Sequence, residues 1–347
     1  MKVNGYSLDF STVFEQMKKN HWHRILLQVP EGLKHKALSL CTFVEQQTKS
    51  ICYVQVDPCY GACDLVSPDQ LAHLDIDSVI QIGHLPIPSM KKDMQKTPYF
   101  FVNALSTHNV ISVVEKALSS LEGTKIGILT TAQHINQLEN ISSLLKKKGF
   151  KPVLSPGDNR IMQEGQILGC NFSAGKRIAD EVDSFLFVGS GLFHALGLLL
   201  VVNKSVVIAD PYSQQVKKDE LIDLKDSILR QRYGAIAQAK TANTFGILLG
   251  LKSGQQRRKL AEKLYSFLRS RNISSFLLTV DHITPSYLEG FPSVDCFVST
   301  LCPRIAIDDY AQFKKPVLTP VELDIALGNR SWEQYRFDEI VPEKNKV

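Results

Sequence analysis

A strand-like run followed by an amphipathic helical pattern occurs three times along this chain, at intervals of roughly 100 to 120 residues. The copies begin at Arg24, Lys125 and Thr244, where the sequence reads RILLQVPEGLKHKALSLCTFVEQ, KIGILTTAQHINQLENISSLLKKKGF and TFGILLGLKSGQQRRKLAEKLYSFLRSRNI. Each copy passes from a short apolar run through a polar turn to apolar residues at helical spacing, which is how a parallel βαβ unit begins. A repeat of this length indicates about one small domain per copy.

Further apolar runs continue each copy in the same order. The second strand is ICYVQVD, KPVLSPG or SSFLLTVD, the third is SVIQIGH, SFLFVGSG or DCFVSTLCPR, and the fourth is YFFVNA, VVIAD or KPVLTP. Strands this apolar, separated by helical stretches, are typical of parallel sheets covered on both faces. The sequence therefore predicts an α/β protein of three homologous domains, each a small parallel sheet flanked by helices, in a pseudo-threefold arrangement.

The predicted domain boundaries lie near residues 105 and 212. Three domains of one design leave room for a site at their common centre, and ligands of open parallel sheets bind at the carboxyl ends of the strands. The predicted domains are residues 1–105, 106–212 and 213–347.

The composition, 44% apolar and 22% charged, is that of an ordinary globular protein. The longest apolar stretch, at residues 195–202, is too short to span a bilayer, and the N-terminus lacks the basic-then-apolar pattern of a secretory signal. We therefore expect a cytoplasmic protein that does not enter a membrane. The net charge of +5 is small for 347 residues and gives no reason to expect a direct nucleic-acid role.

The seven cysteines, an odd number, are expected to stay out of disulfides in a reducing compartment. Cys41 lies in a helical run, and Cys52 and Cys296 lie in strands, at positions where a small apolar core residue fits. The others lie in loops rich in Gly or Pro, with at least one in every unit: Cys59, Cys63, Cys170 and Cys302.

For any one loop cysteine an incidental thiol is the simpler interpretation, but their distribution over all three units makes a shared metal or cluster site equally plausible. Cys59 and Cys63 have the spacing that begins the CxxxCxxC motif of many radical S-adenosylmethionine (SAM) enzymes, yet Val66 stands where the third cysteine would fall. Structural zinc usually takes paired ligands from one knuckle. Three thiolates from distant loops suit a [4Fe–4S] cluster with one open iron better, and spacing alone leaves both alternatives open.

Six stretches in a fixed order resemble one known family. They are YGACD (60–64), TTAQH (130–134), GQILGCNFS (165–173), FVGSGLFHALG (187–197), ADPY (209–212) and LCPRIAIDD (301–309). With LQVPEGLK near the start and KPVLTPVE near the end, the resemblance spans nearly the whole chain. The chain resembles the archaeal-type radical enzymes of diphthamide biosynthesis, the 2-(3-amino-3-carboxypropyl)histidine synthases.

The resemblance implies a homodimer in which each chain holds a [4Fe–4S] cluster through one cysteine per domain. Matched position by position, the ligands are Cys63, Cys170 and Cys302, and Cys59 is a neighbour. The implied reaction transfers the 3-amino-3-carboxypropyl group of SAM to a histidine of translation elongation factor 2. An electron donor of unknown identity drives cleavage of the bond between sulfur and the methionine γ-carbon, which leaves methylthioadenosine. The cluster itself carries the chemistry, so no side chain is predicted to be catalytic.

Residues at strand exits are candidate SAM contacts: Glu31, Gly32, Gln133, His134, Gly189, Ser190, Gly191, His194 and Asp210. Free N–H groups of the glycine-rich turn at residues 189–191 would hold the SAM carboxylate, and Glu31 or Asp210 would bind ribose. The structural alternatives are a helix N-terminus for Glu31, packing for His194 and an Asp-Pro turn for Asp210. The glycines also suit a tight turn. Arg304 is a candidate for pairing with a carboxylate or for tuning the cluster.

The sequence contains no Ser–His–Asp set, Walker loop, HExxH stretch or GxGxxG fingerprint, which disfavours an NTP or NAD enzyme. Three alternatives to the synthase remain. A quinolinate-synthase-like enzyme would use the open iron of a three-cysteine cluster as a Lewis acid, without SAM. A non-catalytic partner subunit of a diphthamide synthase complex would support a catalytic paralogue, although this chain retains all three matched cysteines. The last is a scaffold with incidental thiols.

Overall fold

Three parallel β-sheets follow one another along the chain in the computed structural model, which describes residues 1–94 and 97–341. The first unit contains β1 (Lys2–Val3), β2 (Tyr6–Leu8), α1 (Ser11–Asn20), β3 (Arg24–Gln28), α2 (Ala37–Thr48), β4 (Ile51–Val54), α3 (Pro68–His73), β5 (Ser78–Ile82), β6 (Tyr99–Val102) and β7 (Ala104–Ser106).

The second unit begins with a helix that packs against the next sheet. It contains α4 (Ile111–Ala117), β8 (Lys125–Thr130), α5 (Leu138–Lys147), β9 (Lys151–Val153), α6 (Ser173–Ile178), β10 (Ser184–Val188), α7 (Phe193–Val201), β11 (Ser205–Asp210) and β12 (Gln215–Lys217).

The third unit begins with the longest helix of the described chain. It contains α8 (Asp219–Ala239), β13 (Thr244–Gly250), α9 (Arg258–Ser270), β14 (Ser274–Val280), α10 (Pro285–Glu289), β15 (Cys296–Ser299), α11 (Arg304–Ile307), β16 (Val317–Leu318) and α12 (Pro320–Ala326).

All three sheets have the same parallel core. The strand orders are β4-β3-β5-β6, β9-β8-β10-β11 and β14-β13-β15-β16, so the first strand of each copy is flanked by the second and third. Every residue of β5 and β10 is buried, as expected for strands covered on both faces. The three-domain α/β prediction is confirmed, and the apolar runs named for each unit form its strands.

Two additions to this plan were not predicted. The N-terminal β1 and β2 form a separate antiparallel sheet with β7, and β12 adds an antiparallel edge to the second sheet. The second sheet therefore extends to Lys217, and α8 follows. The domain boundaries near residues 105 and 212 stay predictions, and the end of the third predicted domain, from residue 342, lies outside the described residues.

A short 3₁₀ turn follows the first strand in every unit. These turns are Glu31–Lys36 after β3, Ala132–Gln137 after β8 and Ser253–Gln255 after β13. They bring polar side chains to the carboxyl edge of each sheet, which is where ligands of such sheets bind. In the first two units the main helix follows this turn directly. The segment is helical because its apolar residues recur at helical spacing and face the core, as Leu138, Ile141 and Leu145 do in α5.

The three cysteines predicted to fill core positions are Cys41 in α2, Cys52 in β4 and Cys296 in β15. Cys296 is fully buried, whereas Cys41 and Cys52 are half-buried beside one another, with the Cys41 thiol donating to the Cys52 carbonyl at 3.3 Å. Burial raises the pKa of all three thiols, so they are protonated and unreactive near neutral pH.

Among the described helices, none has the length and apolar character needed to cross a bilayer.

Candidate functional site

The three predicted cluster ligands line one cavity of about 410 Å³. Cys63 lies between β4 and α3, Cys170 lies between β9 and α6, and Cys302 lies between β15 and α11. Each loop leaves the carboxyl end of a parallel strand, so the three units direct their functional edges towards the same space. The structure thus brings together cysteines that are more than 100 residues apart in sequence.

An N–H donor faces each of these sulfurs. They are Gln255 Nε2 at 3.5 Å from Cys63 Sγ, Arg160 Nη2 at 4.0 Å from Cys170 Sγ, and the backbone N–H of Arg304 for Cys302. Such donors stabilise a thiolate more than a neutral thiol, because a charged acceptor makes the stronger hydrogen bond.

The metal-free thiols are protonated at neutral pH. Burial raises the pKa of Cys170 to about 11, while the positive charge of Arg160 opposes that rise. Burial likewise raises the pKa of Cys63 and Cys302. A metal that binds here must displace these protons, so its affinity increases with pH.

The cavity is chemically suited to a polynuclear iron–sulfur centre. Soft thiolates are the usual protein ligands of such centres, and the cations Arg160, Lys252 and Arg304 line the same cavity and offset the thiolate charge. Within residues 1–94 and 97–341, no three His, Cys, Asp or Glu side chains converge as ligands of a single metal ion. A [4Fe–4S] cluster needs no such convergence, because each thiolate binds a different iron.

The segment 252–255, after β13, joins the three units around the cysteines. Lys252 Nζ forms a buried ion pair with Asp64 Oδ2 at 2.8 Å, and the Gly254 N–H donates to the Cys63 carbonyl at 3.2 Å. From the second unit, Arg160 Nη2 donates to the Gly254 carbonyl at 3.2 Å. This segment of the third unit therefore holds the Cys63 loop of the first unit and Arg160 of the second unit in fixed positions relative to each other.

Gly254→Ala is expected to displace the Cys63 loop. A Cβ at residue 254 would lie 2.4 Å from the Cβ of Cys63 and 2.9 Å from its carbonyl oxygen, and backbone atoms cannot move aside as a flexible side chain can. We expect a loss of about 1–3 kcal/mol in the free energy of unfolding, together with reduced iron content after reconstitution. The control is Gly234→Ala in α8, where no described atom beyond the adjacent residues and backbone of the same helix lies within 4 Å of the added methyl group. Equal iron content and stability in the two variants would contradict the packing argument.

Two of the predicted SAM contacts, Gln133 and His194, line the cavity. The Gln133 amide donates to the Gly83 carbonyl at 2.9 Å, and the ring of His194 lies parallel to Phe187. Burial, and secondly the charge of Arg304, lowers the pKa of His194 to about 4. His194 is therefore neutral at pH 7 and can donate or accept one hydrogen bond without adding charge.

The other predicted contacts do not line the cavity. Exposed Glu31 pairs with Lys34, and Gly32 has open space around its Cα. The turn at 189–191 does connect β10 to α7, but only the residues after it reach the cavity. That these residues contact SAM stays a prediction. Because they do not line the cavity, such a contact would require SAM to extend beyond it.

His134 and Asp210 have structural partners instead. His134 is buried with its ring edge against Tyr212, and burial lowers its pKa to about 4. Asp210 pairs with Lys217 at 2.9 Å and accepts the N–H groups of Tyr212 and Ser213, which is the turn geometry expected of an Asp-Pro sequence.

Sequence reasoning missed several residues that line the cavity: His84, Arg160, Lys252, Gln255, Asp281 and His282. The repeat itself held a signal for two of them. Glu31 and Gln133 are candidates because they follow the first strand of a unit, and the same rule applied to the third unit selects the segment 252–255. Arg160 had no comparable signal, because it lies in an irregular loop between β9 and α6.

Residues 29–336 match the family described as "Putative diphthamide synthesis protein". The chain belongs to this family. It is 36% identical over 334 residues to the 2-(3-amino-3-carboxypropyl)histidine synthase of Pyrococcus horikoshii, a match that covers 95% of this chain and 93% of that protein. It is also 29% identical to subunit 1 of the human 2-(3-amino-3-carboxypropyl)histidine synthase, over 95% of this chain and 74% of the human protein.

A solved structure of the diphthamide family has the same fold. The crystal structure of Dph2 from Pyrococcus horikoshii with a 4Fe-4S cluster matches with a TM-score of 0.86 at 32% identity, covering 96% of this chain and 94% of that one. The family resemblance and the three-domain architecture inferred from sequence are therefore confirmed. The neighbour's cluster also agrees with the donor set that lines the cavity here.

Proposed function

We propose that this chain transfers the 3-amino-3-carboxypropyl group of SAM to a histidine of translation elongation factor 2, the first step of diphthamide biosynthesis. The observation that carries the proposal is the single cavity lined by Cys63, Cys170 and Cys302, one from each unit. The names of the relatives support it, and so does the 4Fe-4S cluster of the structural neighbour. A quinolinate-synthase-like function has no comparable support from these relatives.

The three thiolates would hold a [4Fe–4S] cluster. Bound in this way, the cluster would have one iron without a protein ligand and would supply the single electron that breaks the S–Cγ bond of SAM. In the net reaction, SAM and the histidine ring give methylthioadenosine, the substituted ring and one proton, and the electron used for cleavage is given back when the ring adduct loses that proton. The cytoplasmic location, the homodimer, the elongation factor as partner and an unidentified electron donor stay predictions.

The side chains of the cavity would bind and orient SAM. The volume of the cavity, about 410 Å³, lies in the usual range for pockets that bury a small ligand, about 300–1,000 Å³. Arg160, whose Nε has no hydrogen-bond partner among the described residues, would supply positive charge for the SAM carboxylate, and neutral His194 and Gln133 would supply hydrogen bonds. Which carbon–sulfur bond breaks depends on which carbon faces the electron source, so these walls would select the bond by positioning.

The test is product analysis after anaerobic reconstitution with iron and sulfide, chemical reduction and addition of SAM. We expect methylthioadenosine, and transfer of the carboxypropyl group when elongation factor 2 is present. Formation of 5′-deoxyadenosine would contradict cleavage at the γ-carbon. A stable cluster with no SAM cleavage would favour the partner-subunit alternative.

A further inference from the structure

Two side chains direct N–H groups at two of the three thiols, one from another unit and one from the same loop as its cysteine. Gln255 follows β13 in the third unit and faces Cys63 of the first, 192 residues away in sequence. Arg160 faces Cys170 within the second unit. Both donors line the cavity together with the cysteines.

Both donors are held firmly. Gln255 is 7% exposed, and its own backbone N–H donates to the Lys252 carbonyl at 2.9 Å. Arg160 is 5% exposed and is anchored by its bond to the Gly254 carbonyl. The Nε of Arg160 is buried and has no hydrogen-bond partner among residues 1–94 and 97–341. A buried guanidinium with a free donor at a cavity wall is suited to an anionic group inside the cavity.

Donors in these positions affect redox chemistry as well as binding. One-electron reduction adds a negative charge that spreads over a cluster and its thiolates. An N–H group that donates to a thiolate stabilises the more negative state more strongly, so it raises the reduction potential. The direction matters for an enzyme that must be reduced before it can cleave SAM.

We propose that Gln255 and Arg160 are positioning residues that hydrogen-bond the thiolates of Cys63 and Cys170 and raise the reduction potential of the cluster these thiolates hold. This proposal rests on the proposed function, because it requires a bound cluster. It assigns to the segment 252–255 a second task besides joining the three units. Cys302 differs, because its donor is the backbone N–H of Arg304, which a side-chain substitution other than proline leaves in place.

The experiment is a redox titration of the reconstituted protein, followed by electron paramagnetic resonance, without SAM or elongation factor. Gln255→Met removes the N–H group at nearly constant length, and its control is Gln256→Met at the neighbouring residue. We expect Gln255→Met to lower the ratio of reduced to oxidised cluster at a fixed potential by up to about tenfold, about 59 mV for one electron. Arg160→Lys keeps the charge but loses the fork of donors, and we expect a shift of the same sign.

The outcomes separate this inference from the proposed function. If the unsubstituted protein assembles no cluster, the proposed function fails first. If the clusters form and Gln255→Met changes only their yield, with the same midpoint potential as Gln256→Met, then Gln255 is merely structural and the inference is overturned. The inference is supported if the midpoint potential becomes more negative in Gln255→Met and in Arg160→Lys but not in the control Gln256→Met.

Discussion

Replacing Cys63, Cys170 or Cys302 with alanine is expected to abolish methylthioadenosine formation, whereas Cys59→Ala is expected to keep it. Each of the first three lines the cavity, and losing one leaves two thiolates for a cluster that needs three. We expect the unsubstituted chain to bind about four iron atoms after reconstitution and each of these variants to lose most of them.

Cys59 provides an internal control for this result. It is 2% exposed and lies four residues before Cys63, but it does not line the cavity. Burial raises its pKa to about 12, with further increases from Asp64 and Cys63, so it is a neutral thiol that packs as a small apolar residue. Cys59→Ala removes one sulfur from the core, so a modest loss of stability with unchanged iron content is expected.

Iron and sulfide analysis, the visible absorbance of the cluster and nucleoside product analysis check the prediction on all four variants. Circular dichroism shows whether each metal-free variant is folded. Loss of the cluster in Cys59→Ala, with retention in Cys63→Ala, would mean that the wrong member of the CxxxC pair has been assigned to iron.

Arg232→Met is expected to destabilise the third unit by about 3–5 kcal/mol, a large part of the stability of a typical domain. Arg232 in α8 and Glu322 in α12 are both fully buried. The guanidinium donates to both carboxylate oxygens, at 2.7 and 2.6 Å, and also to the carbonyls of Ala306 and Val317. Removing the cation leaves an unpaired carboxylate and two carbonyls without their donor, all away from water.

Glu322 has further roles that make its burial costly to disturb. Its carboxylate accepts the Thr319 N–H at 2.8 Å in the capping box that begins α12, and the Tyr335 hydroxyl lies 3.3 Å away. Arg232→Met would therefore weaken α12 as well as the contact between helices. Replacing both charges, as Arg232→Met with Glu322→Leu, is expected to recover part of the loss because no lone charge then remains buried.

Urea unfolding followed by circular dichroism measures the effect. The control is Arg258→Met, since Arg258 forms an exposed pair with Glu262 one helical turn away and such pairs contribute less than about 1 kcal/mol. If Arg232→Met unfolds within about 1 kcal/mol of this control, the buried pair does not hold α8 and α12 together as inferred.

Much of the fold could be predicted because it depends on local patterns. Apolar runs of strand length and helices of regular period are written in consecutive residues, so the sequence predicted the three parallel sheets and the segments that form their strands. The antiparallel sheet of β1, β2 and β7 was missed, because its short strands have no such pattern and its partners are distant: Ser7 pairs with Leu105.

The same distinction between local sequence patterns and distant contacts applies to the candidate site. Cysteines are rare, so those in Gly- or Pro-rich loops could be sorted from those in strands and helices by their sequence neighbours alone. The SAM contacts stay predictions, because a polar residue at a strand exit can line the cavity, as Gln133 does, or lie away from it and pair with a neighbour, as Asp210 does. Nothing in the local sequence distinguishes these two cases.

The sequence by itself determined the repeated architecture and the family, and it predicted the three cluster cysteines, because periodicity, motif order and residue type are properties of short segments. The tertiary structure alone decided what surrounds those cysteines. Gln255 reaches Cys63 across 192 residues, and Arg160 reaches Gly254 across 94. Such contacts depend on how three independently patterned units pack against one another, and only that packing decides which polar side chain of a loop faces which sulfur.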